Sequence, residues 1–152
     1  MKRILLSLLI LVVAFVAQAQ ILEPIKWKFE LKQTSATEAD IVLKATLDKG
    51  WHLYGMNIPE NGPKPTIISF TSLQGVKAVG KIKALSTLKE VYDPNFEMKL
   101  GWYANEAVFV QKVSFADASK VAIAGQVEFM VCNDESCLPP TKENFKLGSA
   151  GL

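Results

Sequence analysis

Cysteine and histidine are scarce: 152 residues carry two cysteines, Cys132 and Cys137, and one histidine, His52. Those three side chains fall one short of a closed four-ligand zinc site. Only an open site completed by a carboxylate is left, and no metal is expected. No serine stands in a Gly-x-Ser-x-Gly setting, so the nucleophile elbow of the α/β-hydrolases is missing. No window longer than about eight residues has the period of an amphipathic helix. Past residue 19 no apolar run approaches the roughly 20 residues that cross a bilayer. Internal repeats, linkers and low-complexity tracts are missing too, which favours one domain.

What stands at the N-terminus is a leader pattern. Met1-Lys2-Arg3 opens it, Ile4 through Ala17 is apolar apart from Ser7, and Ala17-Gln18-Ala19 places small residues at the two positions a signal peptidase reads. The apolar run is about 14 residues, short for a membrane span, so residues 1–19 are read as a signal peptide; a retained anchor is the alternative. No cysteine follows the run to take a lipid. The remaining domain, 20–152, is long enough for an ordinary core. Of 17 Lys and Arg, the leader holds Lys2 and Arg3; the other 15 balance the 15 acidic residues. A neutral domain without a basic cluster gives no reason to expect nucleic acid or an anionic membrane as partner, and no membrane insertion is expected once the leader is removed.

Beyond the leader the period is two. Trp27, Phe29 and Leu31 alternate with Lys26, Lys28, Glu30 and Lys32; Ile41, Leu43, Ala45 and Leu47 alternate with Asp40, Val42, Lys44 and Thr46. Val121, Ile123, Gly125, Val127, Phe129 and Val131 hold every second place of a longer run. Such alternation turns one face to a core and the other to water. Shorter strands are expected at 51–54, 66–70, 96–103, 107–115 and 144–147, divided by turn signals such as Asp48-Lys49-Gly50, Asn61-Gly62 and Asp93-Pro94-Asn95. The expected fold is all-β: an immunoglobulin-like antiparallel β-sandwich. Trp27, Trp51 and Trp102 are expected in the core or at its rim, and His52 and Tyr54 on an edge strand.

Export exposes both cysteines to oxidation, so they form a presumptive disulfide, permanent or cycling. A patterned strand runs into Cys132; Asn133-Asp134-Glu135-Ser136 follow, then Cys137 and two prolines. These turn-forming residues put the cysteines at facing ends of a hairpin, with Cα atoms about 4.5–5.5 Å apart. A structural staple is one reading. Closing six residues removes only roughly 2 kcal/mol of unfolded-state entropy, against nearly 5 for a ring of about a hundred, so stability alone is a weak reason for this placement. If alternation continues, Cys132 falls with Glu128 and Met130, off the core row, with its sulfur near the surface as a redox thiol requires. Asp134 and Glu135 disfavour thiolate, which suits a carrier that reacts only when docked.

The run Cys132…Cys137-Leu138-Pro139-Pro140-Thr141-Lys142 resembles the redox hairpin of the N-terminal periplasmic domain of the thiol:disulfide interchange protein DsbD. Asp48-Lys49-Gly50-Trp51-His52-Leu53-Tyr54 is similar to that domain's Asp-Gly-aromatic-Tyr-Leu-Tyr segment, and Val91-Tyr92-Asp93-Pro94-Asn95-Phe96 falls in the place of its cap loop. The resemblance implies an immunoglobulin-like fold with the pair in an inserted hairpin and Phe96 lying over the disulfide until a partner displaces it. It also implies that Cys137 forms the mixed disulfide with partners and Cys132 resolves it, with Tyr54 and His52 flanking the site. His52 stands where the family commonly has tyrosine. Three departures accompany it. Cys-x4-Cys is one residue shorter than the form compared. Pro94 and Asn95 replace familiar acidic residues, leaving Asp93 as the substitute. The sequence ends at Leu152 without the family's membrane and thioredoxin-like domains, so electrons are expected from a separate polypeptide.

The expectation is therefore a periplasmic thiol–disulfide relay, a protein-disulfide-reductase type of carrier with no cofactor beyond the cysteine pair. Its donor would be thioredoxin-like. Its acceptors would be disulfide-containing periplasmic proteins: isomerases, cytochrome c biogenesis thioredoxins or peroxide-scavenging proteins. The alternative is a secreted immunoglobulin-like binding module with an inert bridge.

Overall fold

A computed structural model describes residues 22–151, so the leader expected at 1–19 lies outside the described residues. Eleven strands follow one another: β1 (Ile25–Gln33), β2 (Glu38–Leu47), β3 (His52–Tyr54), β4 (Ile67–Gln74), β5 (Val76–Ala84), β6 (Lys89–Asp93), β7 (Met98–Ala104), β8 (Glu106–Phe115), β9 (Ala122–Phe129), β10 (Val131–Cys132) and β11 (Thr141–Gly148). The only helices among the described residues are two 3₁₀ turns, Ala118–Lys120 and Ser149–Gly151. Three antiparallel sheets result, ordered β1-β2-β8-β5, β11-β9-β4 and β10-β3-β7-β6.

The period-two rows explain how the sheets meet. On β2, Ala39, Ile41, Leu43 and Ala45 are fully buried, while the residues between them are partly exposed. Ala107, Phe109, Val113 and Phe115 of β8 continue that inner face. Against it lie Ile68, Ile123, Val127, Phe129 and Phe145 from the second sheet and Leu53, Tyr103 and Val131 from the third, all in one core. The architecture is the expected immunoglobulin-like sandwich. Gly125 keeps its place in the β9 core row because a Cβ there would meet the Phe145 ring at 2.5 Å and the Ser69 carbonyl at 2.6 Å. A polar exception on β8, Gln111, is buried with its amide donating to the Val79 and Lys112 carbonyls. It satisfies a carbonyl freed where β5 loses register between Val79 and Lys83.

Several expectations need correction. β5 and β6 were not anticipated, and the strand expected at 144–147 begins earlier, at Thr141. The strand expected at 96–103 is shifted too: Pro94 to Glu97 is a turn, with Glu97 at φ 54°, so Phe96 sits on the tip of the β6–β7 hairpin. His52 and Tyr54 do not lie on an edge. β3 is inserted between β10 and β7, and both side chains are buried.

Candidate functional site

The outer face of the β10-β3-β7-β6 sheet carries the two cysteines. Register fixes which side chains share it. Cys132 pairs with His52, His52 with Ala104, Tyr54 with Trp102, Val91 with Leu100 and Asp93 with Met98. Directly opposed residues project to one side of a sheet, so this register places all of these side chains together. Tyr54, Leu100, Trp102 and Cys132 form a second buried cluster separate from the main core, and Ile58, Phe96, Met98, Met130 and Cys137 pack on it.

The cysteines are joined as a disulfide, with Cα atoms 4.0 Å apart and a single antiparallel bridge between them. The facing arrangement is the one expected. The hairpin tip closes on itself: Asn133 Oδ1 accepts from the backbone N–H groups of Glu135 and Ser136, and the Asn133 N–H donates to the Ser136 carbonyl. Below the bridge the Leu138 N–H donates to the Val131 carbonyl.

The expected surface position of Cys132 is wrong. Cys132 does point away from the main core, as alternation implies. That side, however, is covered by the chain's own cap turn and by Tyr54 and Trp102, which leave Cys132 at 0% exposure. Cys137 is half-buried. The two cysteines therefore differ in their exposure.

A polar network underlies the cap. Asp93 is fully buried, yet both its oxygens are satisfied. Tyr54 Oη donates to Oδ2 at 2.5 Å, and the Asn95 backbone N–H donates to Oδ1 at 2.8 Å. His52 Nε2 lies 3.4 Å from Tyr54 Oη and 3.8 Å from Asp93 Oδ2, and its ring stacks on Trp102 with centroids 3.9 Å apart. Phe96 meets the Tyr54 ring edge-on at 5.9 Å. Burial pushes His52 below its ordinary value, against the opposing pull of the Asp93 and Asp134 charges, so the imidazole is neutral at neutral pH and its contact with Asp93 is not an ion pair. Burial, the hydrogen bond to Asp93 and the Asp93 charge all push the Tyr54 phenol far above its usual range. The hydroxyl keeps its proton and donates it to the carboxylate.

Cys132, Cys137, Phe96, Asp93, Tyr54 and His52, all singled out from the sequence, are thus brought together. Trp102 was expected only in the core or at its rim and proves to be the platform beneath His52. Asn95 was noted only as a departure from the family pattern, but its side-chain Nδ2 donates to the Asn133 carbonyl at 3.1 Å and links the cap turn to the cysteine hairpin. The asparagines at 95 and 133, both at turns beside the pair, were the available signal. Among the described residues, no group of three or more His, Cys, Asp or Glu is placed to hold a metal ion. None of their helices is long and apolar enough to cross a membrane.

An immunoglobulin-like sandwich with a disulfide hairpin under its own cap turn defines a disulfide-bearing class of domain. The family model described as "Thiol:disulfide interchange protein DsbD, N-terminal" matches residues 18–149, and the chain belongs to that family. The structure is similar to the N-terminal periplasmic domain of ScsB from Proteus mirabilis, at 17% identity and a TM-score of 0.60, covering 89% of this chain and 50% of that one. It is also similar to the Neisseria meningitidis DsbD N-terminal domain in its reduced form, at 15% identity and a TM-score of 0.53, covering 80% of this chain and 84% of that one. At these identities the likeness is one of fold, and the chain spans half the length of the ScsB structure. No curated protein matches.

Proposed function

We propose that this chain is a periplasmic electron relay, exported by the leader at 1–19, whose domain at 20–152 passes electrons from a thioredoxin-like reductant to oxidised partner proteins. The cysteine pair is its redox group, and no other cofactor takes part. A donor thiolate attacks the Cys132–Cys137 bond and leaves a dithiol. Cys137 then attacks a partner disulfide, and Cys132 attacks the Cys137 sulfur of the mixed disulfide, re-forming the bridge and releasing the reduced partner. Disulfide-containing acceptors, including isomerases and the thioredoxins of cytochrome c biogenesis, are the candidate recipients.

The observation that carries this reading is the unequal burial of the two cysteines. A partner can approach only a cysteine it can reach, and Cys137 is half-buried whereas Cys132 is sealed. That asymmetry supports Cys137 as the partner-facing thiol and Cys132 as the internal resolver. Phe96, held on Tyr54, supplies the removable cover.

Trapping tests it. Cys132→Ser should leave Cys137 able to hold a periplasmic partner as a mixed disulfide, and Cys137→Ser should trap none. Adducts recovered only with Cys137→Ser would reverse the roles. The wild-type bridge should equilibrate with a thioredoxin-like donor at a potential above about −300 mV. A bridge that stays oxidised beside such donors would leave a binding module with an inert staple.

A further inference from the structure

We propose that His52 is the base that takes the proton from the Cys132 thiol when Cys132 closes the disulfide onto Cys137. The proposal rests on the relay reading and adds to it the residue that makes a buried thiol reactive.

The problem is set by the burial of Cys132. Only the thiolate attacks a disulfide, and a thiol at 0% exposure in an apolar cluster is the form that burial favours. With Tyr54, Leu100 and Trp102 packed around it whether or not Phe96 is in place, its nearest route for the proton is to a group inside the cluster. Four polar side chains share its face of the sheet, and one of them, Lys89 opposite Trp102, is exposed and outside the buried cluster. Tyr54 keeps its phenolic proton and donates it to Asp93. Asp93 has both oxygens engaged, by Tyr54 Oη and by the Asn95 N–H. His52 is left, and it is the direct cross-strand neighbour of Cys132. Opposed residues in an antiparallel pair have Cβ atoms about 4.5–5.5 Å apart, within reach of an imidazole and a thiol.

The surroundings suit the task. The imidazole is neutral near pH 7 and so ready to accept a proton. Once it has done so, Asp93 Oδ2, 3.8 Å from Nε2, faces the new positive charge from β6, and Asp134 contributes a second negative charge from the hairpin tip. Tyr54 flanks the ring from β3 itself, and from β7 the Trp102 indole fixes its plane without adding charge. A base, an orienting carboxylate and a thiol thus share one face in the order Asp93, His52, Cys132. The step balances. The Cys132 proton moves to the imidazole and the thiolate attacks the Cys137 sulfur. The Cys132–Cys137 bond forms as the Cys137–partner bond breaks, and the partner sulfur leaves with the electron pair and takes up a proton. The dithiol is oxidised and the partner disulfide is reduced.

Stopped-flow mixing of the fully reduced protein with the thionitrobenzoate disulfide tests this, with dithiothreitol as reductant so that no natural donor is needed. Cys137 releases the first coloured thiol and Cys132 the second; Cys132→Ser, which stops after the first, identifies the phases. In the wild type the second phase should rise with pH through a titration below neutrality and then level off. In His52→Gln it should be roughly 100-fold slower near pH 7 and rise in proportion to hydroxide, with the first phase unchanged. His52→Tyr retains an aromatic ring to stack on Trp102 but is no base at neutral pH, and it should be as slow as His52→Gln. A second phase of wild-type rate and pH profile in His52→Gln overturns the assignment, as does full rescue by His52→Tyr, which would mean that the ring only packs. Failure of the relay reading is seen separately, as a bridge that thioredoxin-like donors leave oxidised although dithiothreitol opens it.

Discussion

Asn95 Nδ2 donates a hydrogen bond to the backbone carbonyl of Asn133, and this contact ties the cap turn to the hairpin that carries the cysteines. The cap and the disulfide come from segments far apart in sequence, so the link acts as a latch beside the Phe96 cover. An exposed hydrogen bond of this kind contributes about 0.5–1.5 kcal/mol. Asn95→Ala should therefore raise the rate at which glutathione reduces the bridge by about 2- to 10-fold, with the midpoint of urea unfolding nearly unchanged. An unaltered reduction rate would remove the latch.

Phe96 should matter more. It packs on the cluster that holds Cys132 and meets Tyr54 edge-on, a contact worth about 0.5–1.5 kcal/mol beyond the area it buries. Phe96→Ala should speed reduction by small thiols by at least about 10-fold, while Phe96→Leu, which restores apolar bulk without the ring, should fall between. Equal rates in all three proteins would mean that the cap does not limit access.

Tyr54→Phe removes the donor to a carboxylate that is fully buried. Charge-assisted hydrogen bonds contribute about 1.5–3 kcal/mol, and an orphaned buried acceptor makes the loss larger still. The variant should be destabilised by about 3 kcal/mol or more in urea. Combined with Asp93→Asn the losses should fall short of additive by more than about 0.5 kcal/mol, because both changes break one network.

Much of this fold is written in alternation. Ile41 to Leu47 and Val121 to Val131 read directly as half-buried strands because each has a dry face and a wet one. β5 was not legible: Val76 is its only buried residue, and Gly80 sits inside its register break. β6 hid for a similar reason, since Asp93 is its only buried side chain. The turn residues between Cys132 and Cys137 made the hairpin visible. The burial of Cys132 was not, because period two says only that a side chain points away from the main core. That the far side is roofed depends on Phe96, Tyr54 and Trp102, from three segments that pair only after folding. Gln111 falls in the buried row of β8 by alternation, but its partner, a carbonyl freed by a bulge in another strand, is not legible in sequence.

Reducing the disulfide should cost little stability, as the proposed relay, which must survive in both states, requires. The bridge closes a ring spanning only five residues of sequence separation, and the chain-entropy contribution of such a ring is roughly 2 kcal/mol. The β3–β10 pairing and the Asn133 turn hold the hairpin independently of the sulfurs. Urea unfolding with and without dithiothreitol should differ by about that amount with the same slope. Loss of cooperative unfolding on reduction would instead make the bridge a structural staple.

Stability should also fall on mild acidification, and His52 is the reason. Its folded-state pKa lies below the ordinary 6.5 because burial disfavours the charged ring. Below pH 6.5 the unfolded chain takes up a proton that the folded chain still refuses, so the unfolded state binds more protons and folding weakens as pH drops. The contribution is fully present above 6.5 and is lost as pH falls through the folded value. For one group the slope is at most about 1.4 kcal/mol per pH unit. His52→Phe, which keeps an aromatic ring against Trp102, has no such proton to refuse. Between about pH 7.5 and about pH 5.5 the wild type should lose more stability than this variant in urea titrations. Parallel pH dependence in the two proteins would show that the ring protonates as freely in the folded state as in the unfolded one, and that the cover over the cysteine face admits water.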